Sequence, residues 1–380
     1  MRLVDGADPP DATESAPALR DERVQWSIDL PPADDGHLLV TPDGRVVVST
    51  RRFLAVVHPS GRPGWLVRTD LGLLGEPVLL AGDKVLRDED GNLVTRDLTT
   101  GATTVSIAVP GVSGMAAGPD GDLLHSAWIQ DRGPMLCRSA PDGPVRWAVP
   151  LTEPFVTLLA TRDRVLVADG GSVRAYDLAG TALWSADRDG FREPDAPTPT
   201  DGRVHGPLRA LPDGRILVEF AEPDGHGFYL LDPAAATVDR LAAPVGLRSP
   251  VAVLPGDGPG RLVAAGPGGR AASGGVGGAM HLTDDTGRLV WSHPLPTPPQ
   301  ALLAPAPDRA LVVCGPTLDR WNDYHRWYDL SDECLVRCVG VAGEQVWTWR
   351  APVPLTYRPA VGPDGTVFVA GPGRLWALTQ

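Results

Sequence analysis

The stretch Arg162–Trp184, RDRVLVADGGSVRAYDLAGTALW, recurs with variations along most of this chain. A polar turn leads into an apolar strand, Val165–Ala168, and a glycine link passes to a second strand, Val173–Leu178. An Ala-Gly turn then opens a third strand that ends on tryptophan. From His37 onward the full unit reads as four strands, A to D, with Asp-Gly or Thr-Gly type turns after A and after C. Asp-Gly pairs between alternating apolar runs are strong hairpin signals. Units start near His37, Gly75, Val112, Pro154, Gly206, Ser249, Gln300 and Arg358. Their D strands end near Trp65, Trp147, Trp184, Trp291 and Trp347, with no tryptophan in the second and fifth units. A period of about 40 to 50 residues with four short strands per unit marks a β-propeller.

The last unit, RPAVGPDGTVFVAGPGRLWALTQ, stops after strand C, whereas Val24–Leu30, VQWSIDL, is a strand with no hairpin partner before it. The lone leading strand is therefore expected to complete the last sheet and close the ring. The fold class is all-β: a single propeller over residues 23–380, with 24–30 completing the blade of 356–380 and residues 1–22 a flexible polar arm. Eight four-stranded antiparallel blades is the expected count, with seven as the alternative.

A chain of 380 residues would ordinarily suggest two or three domains, but stacked repeats share one continuous core. Glycine (44) and proline (40) are abundant, yet 43% of residues are hydrophobic, so the chain is rich in turns without being disordered. The net charge of −13 argues against nucleic acid and against an anionic membrane surface as partners. Lys84 is the only lysine and falls at an A–B turn, so Schiff-base chemistry would have to work from there. The N-terminus has no apolar core of a signal peptide, and no run of about 18 apolar residues suggests a membrane span. A cytoplasmic location is expected, with Cys137, Cys314, Cys334 and Cys338 as reduced thiols.

The segments SVRAYDLAGTALW, GRLVWSHPL and RPAVGPDGTVFVAGPGRLWAL resemble the propeller repeats named after pyrroloquinoline quinone (PQQ), and the resemblance covers nearly the whole chain from Val24. It implies the propeller fold and says little about activity, because one fold hosts many. The quinoprotein dehydrogenases of that superfamily carry adjacent cysteines beside the cofactor and are exported. This chain has no Cys-Cys pair and no visible export signal, so neither a quinone nor any other cofactor is expected.

In an up-and-down blade the A–B and C–D turns share one face, and the B–C and D–A loops share the other. The first set is short and repetitive here, while length and chemistry accumulate on the second, where a site is expected. Four loops depart from the repeat: Ala186–His205, Phe220–Phe228, Gly266–Gly278 and Gly315–Glu333. The last is the richest, with Arg320, Trp321, Asp323, Tyr324, His325, Trp327 and Tyr328 crowded together. Aromatics on an exposed loop suit a ligand or a partner, and equally suit packing on neighbouring loops. A second constellation comes from aligning the starts of the inner strands, where Glu76, His37 and Arg358 fall at one height in adjacent blades. Such a cluster at a channel mouth could hold a carboxylate or move a proton, although channels are commonly lined by hydrated polar groups. Tyr357, His205 and Glu219 complete the candidate set on that face.

No metal is expected. Cys314, Cys334, Cys338 and His325 form a zinc set on paper, but C-x3-C is weak spacing and strand alternation puts both thiols on one packed face. Gly266–Gly278 lacks the Gly-Lys-Ser/Thr of a phosphate cradle, and neither a calcium loop nor a G-x-S-x-G elbow occurs. The expected function is a cofactor-independent cyclase, lyase, isomerase or hydrolase acting on a small molecule of specialised metabolism. Trp321, Trp327, Arg320, Tyr328 and Arg358 would bind the substrate, while His325, Tyr324, Asp323, His37 and Glu76 would move protons. The alternative is a non-catalytic scaffold for a protein or peptide partner.

Overall fold

The computed structural model describes residues 2–3, 22–33, 36–69, 76–109, 111–140, 143–154, 156–194, 203–211, 213–222, 225–241, 248–254, 261–270, 276–284, 288–295, 299–314 and 334–380. They form eight small antiparallel sheets and no helix. Blade 1 runs through Gly36–Val40, Val46–Thr50, Phe53–Val57 and Pro63–Arg68 as strands A to D. The inner strands of the following six blades begin at Val78, Met115, Thr157, Val204, Arg248 and Pro299. Blade 8 holds Ala360–Val361, Val367–Gly371 and Arg374–Leu378, and its outer strand is Val24–Asp29. That strand pairs antiparallel with Arg374–Leu378, with Ile28 opposite Leu375. The leading strand thus closes the ring, and the count is eight.

Why these sequences make blades is visible in Val46, Val47 and Val48, three buried valines in succession. A sheet with one wet face would alternate apolar and polar residues, whereas a blade is covered on both faces. Val46 and Val48 pack toward blade 8 with Phe368 and Leu375, while Val47 packs toward blade 2 with Val85 and Leu98. Among the described residues the buried apolar side chains fall into eight clusters, each shared by two consecutive blades. The cluster joining blade 8 to blade 1 has the same make-up as the rest, so the core is one annulus.

Tryptophans at the outer strands fasten one blade to the next. Trp65 Nε1 donates to the Leu98 carbonyl of blade 2 at 2.9 Å, and its ring covers Gly101. Trp147 does the same with Leu178 at 3.1 Å and Gly180, and Trp291 with Val341 at 3.0 Å and Gly343. Trp26, on the strand borrowed from the N-terminus, docks on Pro59 at 2.8 Å and Gly61. A Cβ at Gly101 would lie 2.8 Å from the Trp65 ring, so the turn glycine is required both for its φ of +76° and for the contact.

Two strands add to the pattern. Gly190–Arg192 forms a fifth strand outside blade 4, and Arg2–Leu3 lie parallel to the outer strand of blade 1, with Arg2 opposite Trp65. Both cover part of an otherwise open edge. Cys334 and Cys338 share the cluster between blades 7 and 8, and Cys314 faces the one between blades 6 and 7. Lys84 opens strand B of blade 2, directly after the A–B turn.

Candidate functional site at the axial mouth

Inner strands start from the D–A loops, so residues just ahead of each strand A are delivered to one end of the ring. Glu76 precedes the inner strand of blade 2 and Arg358 that of blade 8, with blade 1 between them. Arg358 Nη1 donates to Glu76 Oε2 at 2.7 Å, a contact between residues 282 positions apart. Both side chains stay open to solvent, 48% for Arg358 and 59% for Glu76. An ion pair this wet contributes on the order of 0–1 kcal/mol, so the two are held together lightly.

Beneath the pair the backbone is tightly specified. Tyr357–Arg358 runs parallel to Gly36–His37, Gly36 facing Tyr357 and His37 facing Arg358. A Cβ on Gly36 would stand 2.7 Å from the Ser49 carbonyl and 3.0 Å from the Tyr357 ring, so only glycine admits this approach. Tyr357 is buried in the cluster between blades 8 and 1. His37 is 4% exposed, so its imidazole is out of direct contact with solvent.

The fourth member comes from across the axis and was not anticipated. Arg209 lies on the inner strand of blade 5, within electrostatic reach of Arg358, Glu76 and Glu219. Burial pushes its guanidinium below the usual arginine range. Arg358 adds to that by like-charge repulsion, while Glu76 and Glu219 oppose it. Glu219 is buried on the neighbouring strand of blade 5, where its backbone faces that of His205. The signal for Arg209 was present in the repeat. Its counterpart in blade 4 is Leu159, one register step from Ala160 as Arg209 is from Ala210, so an arginine replaces an apolar residue.

Of the expected residues, the structure brings Glu76 and Arg358 together, pairs the backbone of His37 with that of Arg358, buries Tyr357 between blades 8 and 1, and holds Glu219 within electrostatic reach of Arg209. Arg320, Trp321, Asp323, Tyr324, His325, Trp327 and Tyr328 lie outside the described residues, as do parts of the other three elaborated loops. Another feature of the same face is Trp128, 50% exposed at the end of strand B in blade 3.

A second hollow competes for attention: an open polar cleft of about 370 Å³ between blades 1 and 2, reached by Arg68, Thr69, Glu89, Asn92 and Arg96. Its strongest charges are already used. Arg96 grips Glu89 through two bonds of 2.9 and 2.7 Å and gives a third to the Gly101 carbonyl. The axial cluster, by contrast, gathers charges from blades 2, 5 and 8 that only ring closure brings together.

Fold and repeat define the class: a closed eight-bladed propeller of four-stranded antiparallel blades. Residues 103–206 match a PQQ-repeat family model described as outer membrane protein assembly factor BamB. Among solved structures, BamB from Moraxella catarrhalis is similar over 94% of this chain and 99% of its own, at 14% identity and a TM-score of 0.61. The dihydro-heme d1 dehydrogenase NirN, solved in complex with DHE, is similar over 85% of this chain and 67% of its own, at 15% identity and a TM-score of 0.56. No curated protein matches the sequence. At these identities the likeness shows the fold alone.

Proposed function

We propose that this propeller binds a small organic molecule at the axial mouth on the face of the B–C and D–A loops, and catalyses proton transfer on it there. The convergence of Glu76, Arg209 and Arg358 from three separate blades carries this reading. Charged groups gathered at the end of a rigid ring are the arrangement a polar ligand needs, because the scaffold holds them in place before binding. Chemically, the guanidiniums can stabilise negative charge developing on a carbonyl or carboxyl oxygen, and the Glu76 carboxylate can accept a proton. By strand order in the sequence, Trp321, Tyr324, His325 and Trp327 fall between strands B and C of blade 7 and belong to the same reading, outside the described residues.

Screening the full chain by thermal shift against a metabolite panel, followed by Glu76→Gln and Arg358→Gln, tests it. A ligand whose stabilisation is lost in Arg358→Gln and changed in Glu76→Gln is expected; hits indifferent to both would remove the mouth from consideration. A scaffold for a protein partner is the second reading. Its support is the half-exposed indole of Trp128 on the same face and the likeness to a protein described as an assembly factor. Capture of a stoichiometric partner that Trp128→Ala releases and Arg358→Gln does not would favour it.

A further inference from the structure

We infer that the ligand class of the mouth is a small oxyanion, a carboxylate or phosphate group that bridges Arg358 and Arg209 and displaces Glu76 from Arg358. This rests on the reading that the mouth is the ligand site. The argument begins with charge. Arg209, on the inner strand of blade 5, lies within electrostatic reach of Arg358 of blade 8, and two guanidiniums so placed repel. Glu219 sits on the blade of Arg209 and Glu76 reaches Arg358 from blade 2, so each cation has a carboxylate near it. Glu76 holds Arg358 by a single 2.7 Å bond through one guanidinium nitrogen. Among the described residues the rest of the planar fork has no other hydrogen-bond partner and can accept a second, bidentate one, the geometry guanidinium offers to carboxylate and phosphate alike.

The wider field sharpens the point. With a net charge of −13 the molecule as a whole repels anions. An oxyanion would therefore enter only where two cations act together over a short range, and its affinity should be governed by those two residues. Glu76 then acts as a latch, occupying Arg358 until an anion takes its place.

Titration of the full-length chain with succinate, inorganic phosphate and neutral succinamide, read by calorimetry and by thermal shift, tests the inference. At least one of the two anions should bind and succinamide should not. Arg358→Gln should weaken that binding about tenfold, and Glu76→Gln, which removes the competing carboxylate, should tighten it several-fold. Binding of phosphate alone assigns a phosphoryl ligand, and binding of succinate alone a carboxylate. Arg358 and Glu76 are solvent-open, so these variants leave the core intact, and unchanged melting without ligand checks this. No binding of either anion, or binding unchanged by Arg358→Gln, overturns the inference. If a neutral or cationic metabolite binds instead and both variants perturb it, the mouth survives as the site and only the oxyanion class falls. If nothing responds to either variant, both fall.

Discussion

His125 shows what burial does to a single titratable group. It lies on strand B of blade 3, 2% exposed, with Nε2 3.0 Å from the Ser139 hydroxyl. Burial drives its pKa down to about 4 from 6.5. The folded state therefore resists protonation while the unfolded chain accepts it, so between those two values the unfolded state binds more protons. Stability should rise as pH climbs from about 4 to 6.5 and fall as pH drops through that window, by up to about 3 kcal/mol. Urea unfolding of the chain and of His125→Gln across that range should show the variant with a shallower slope; parallel slopes would remove His125 as the cause. Arg87 is the counterpart among fixed charges. Its buried guanidinium donates to the carbonyls of Phe53 (2.9 Å) and Thr50 and to the Thr69 hydroxyl (3.1 Å), bolting blade 2 to blade 1. Arg87→Ala removes a donor from each of two buried carbonyls, of which that of Phe53 keeps the Thr50 hydroxyl at 3.1 Å, and should cost about 2–4 kcal/mol in chemical denaturation.

At the scale of the element, the tryptophan and the turn glycine of the next blade form one device. Gly101 and Gly91 have nearly the same φ, +76° and +75°, but a Cβ at Gly101 strikes the Trp65 ring and one at Gly91 meets nothing within 4 Å. Gly91→Ala should therefore cost only the backbone strain of about 1 kcal/mol. Gly101→Ala should cost about 2–3 kcal/mol more because Trp65 must leave its seat. Equal losses would show that the ring contributes nothing to joining the blades. Trp347 offers the converse. It is buried, yet its Nε1 finds no acceptor among the described residues, because the next blade is the closing one. There the C–D turn is replaced by the two ends of the chain. Trp65→Phe should lose about 1–2 kcal/mol through the orphaned Leu98 carbonyl, while the same change at Trp347 should be close to neutral in that respect.

For the whole molecule, stability depends on closure. Removing residues 1–30 deletes the outer strand of blade 8 and with it Trp26, whose indole reaches across to Pro59 and whose ring lies 5.8 Å from Phe368. The truncated ring would keep a bare strand edge and an uncovered apolar surface, a combination that favours association. A shift to larger species in size-exclusion chromatography and a sharp drop in melting temperature are expected. Removing residues 1–21 instead deletes, among the described residues, only the two-residue pairing of Arg2–Leu3, and should leave the elution volume unchanged. The inner edge is closed by a shorter pairing, Tyr357–Arg358 beside Gly36–His37, and any charge introduced at Gly36 would disturb that closure and the mouth together.

The repeat, the eight blades and the borrowed strand were all legible in the sequence because they rest on local rules. Apolar runs of strand length, turns marked by glycine after aspartate, and an unfinished last unit each report on a neighbourhood of a few residues. The pairing of Glu76 with Arg358 was half legible, since aligned repeats place equivalent residues at equivalent heights around the ring. Arg209 was visible only as an arginine where blade 4 carries leucine. Its part in the mouth depended on which blade faces which across the axis, a consequence of the number of blades and the hand of their stacking. Composition and spacing fix the blade; only a closed ring decides which charges look at one another, because Coulomb forces act through space and take no account of distance along the chain.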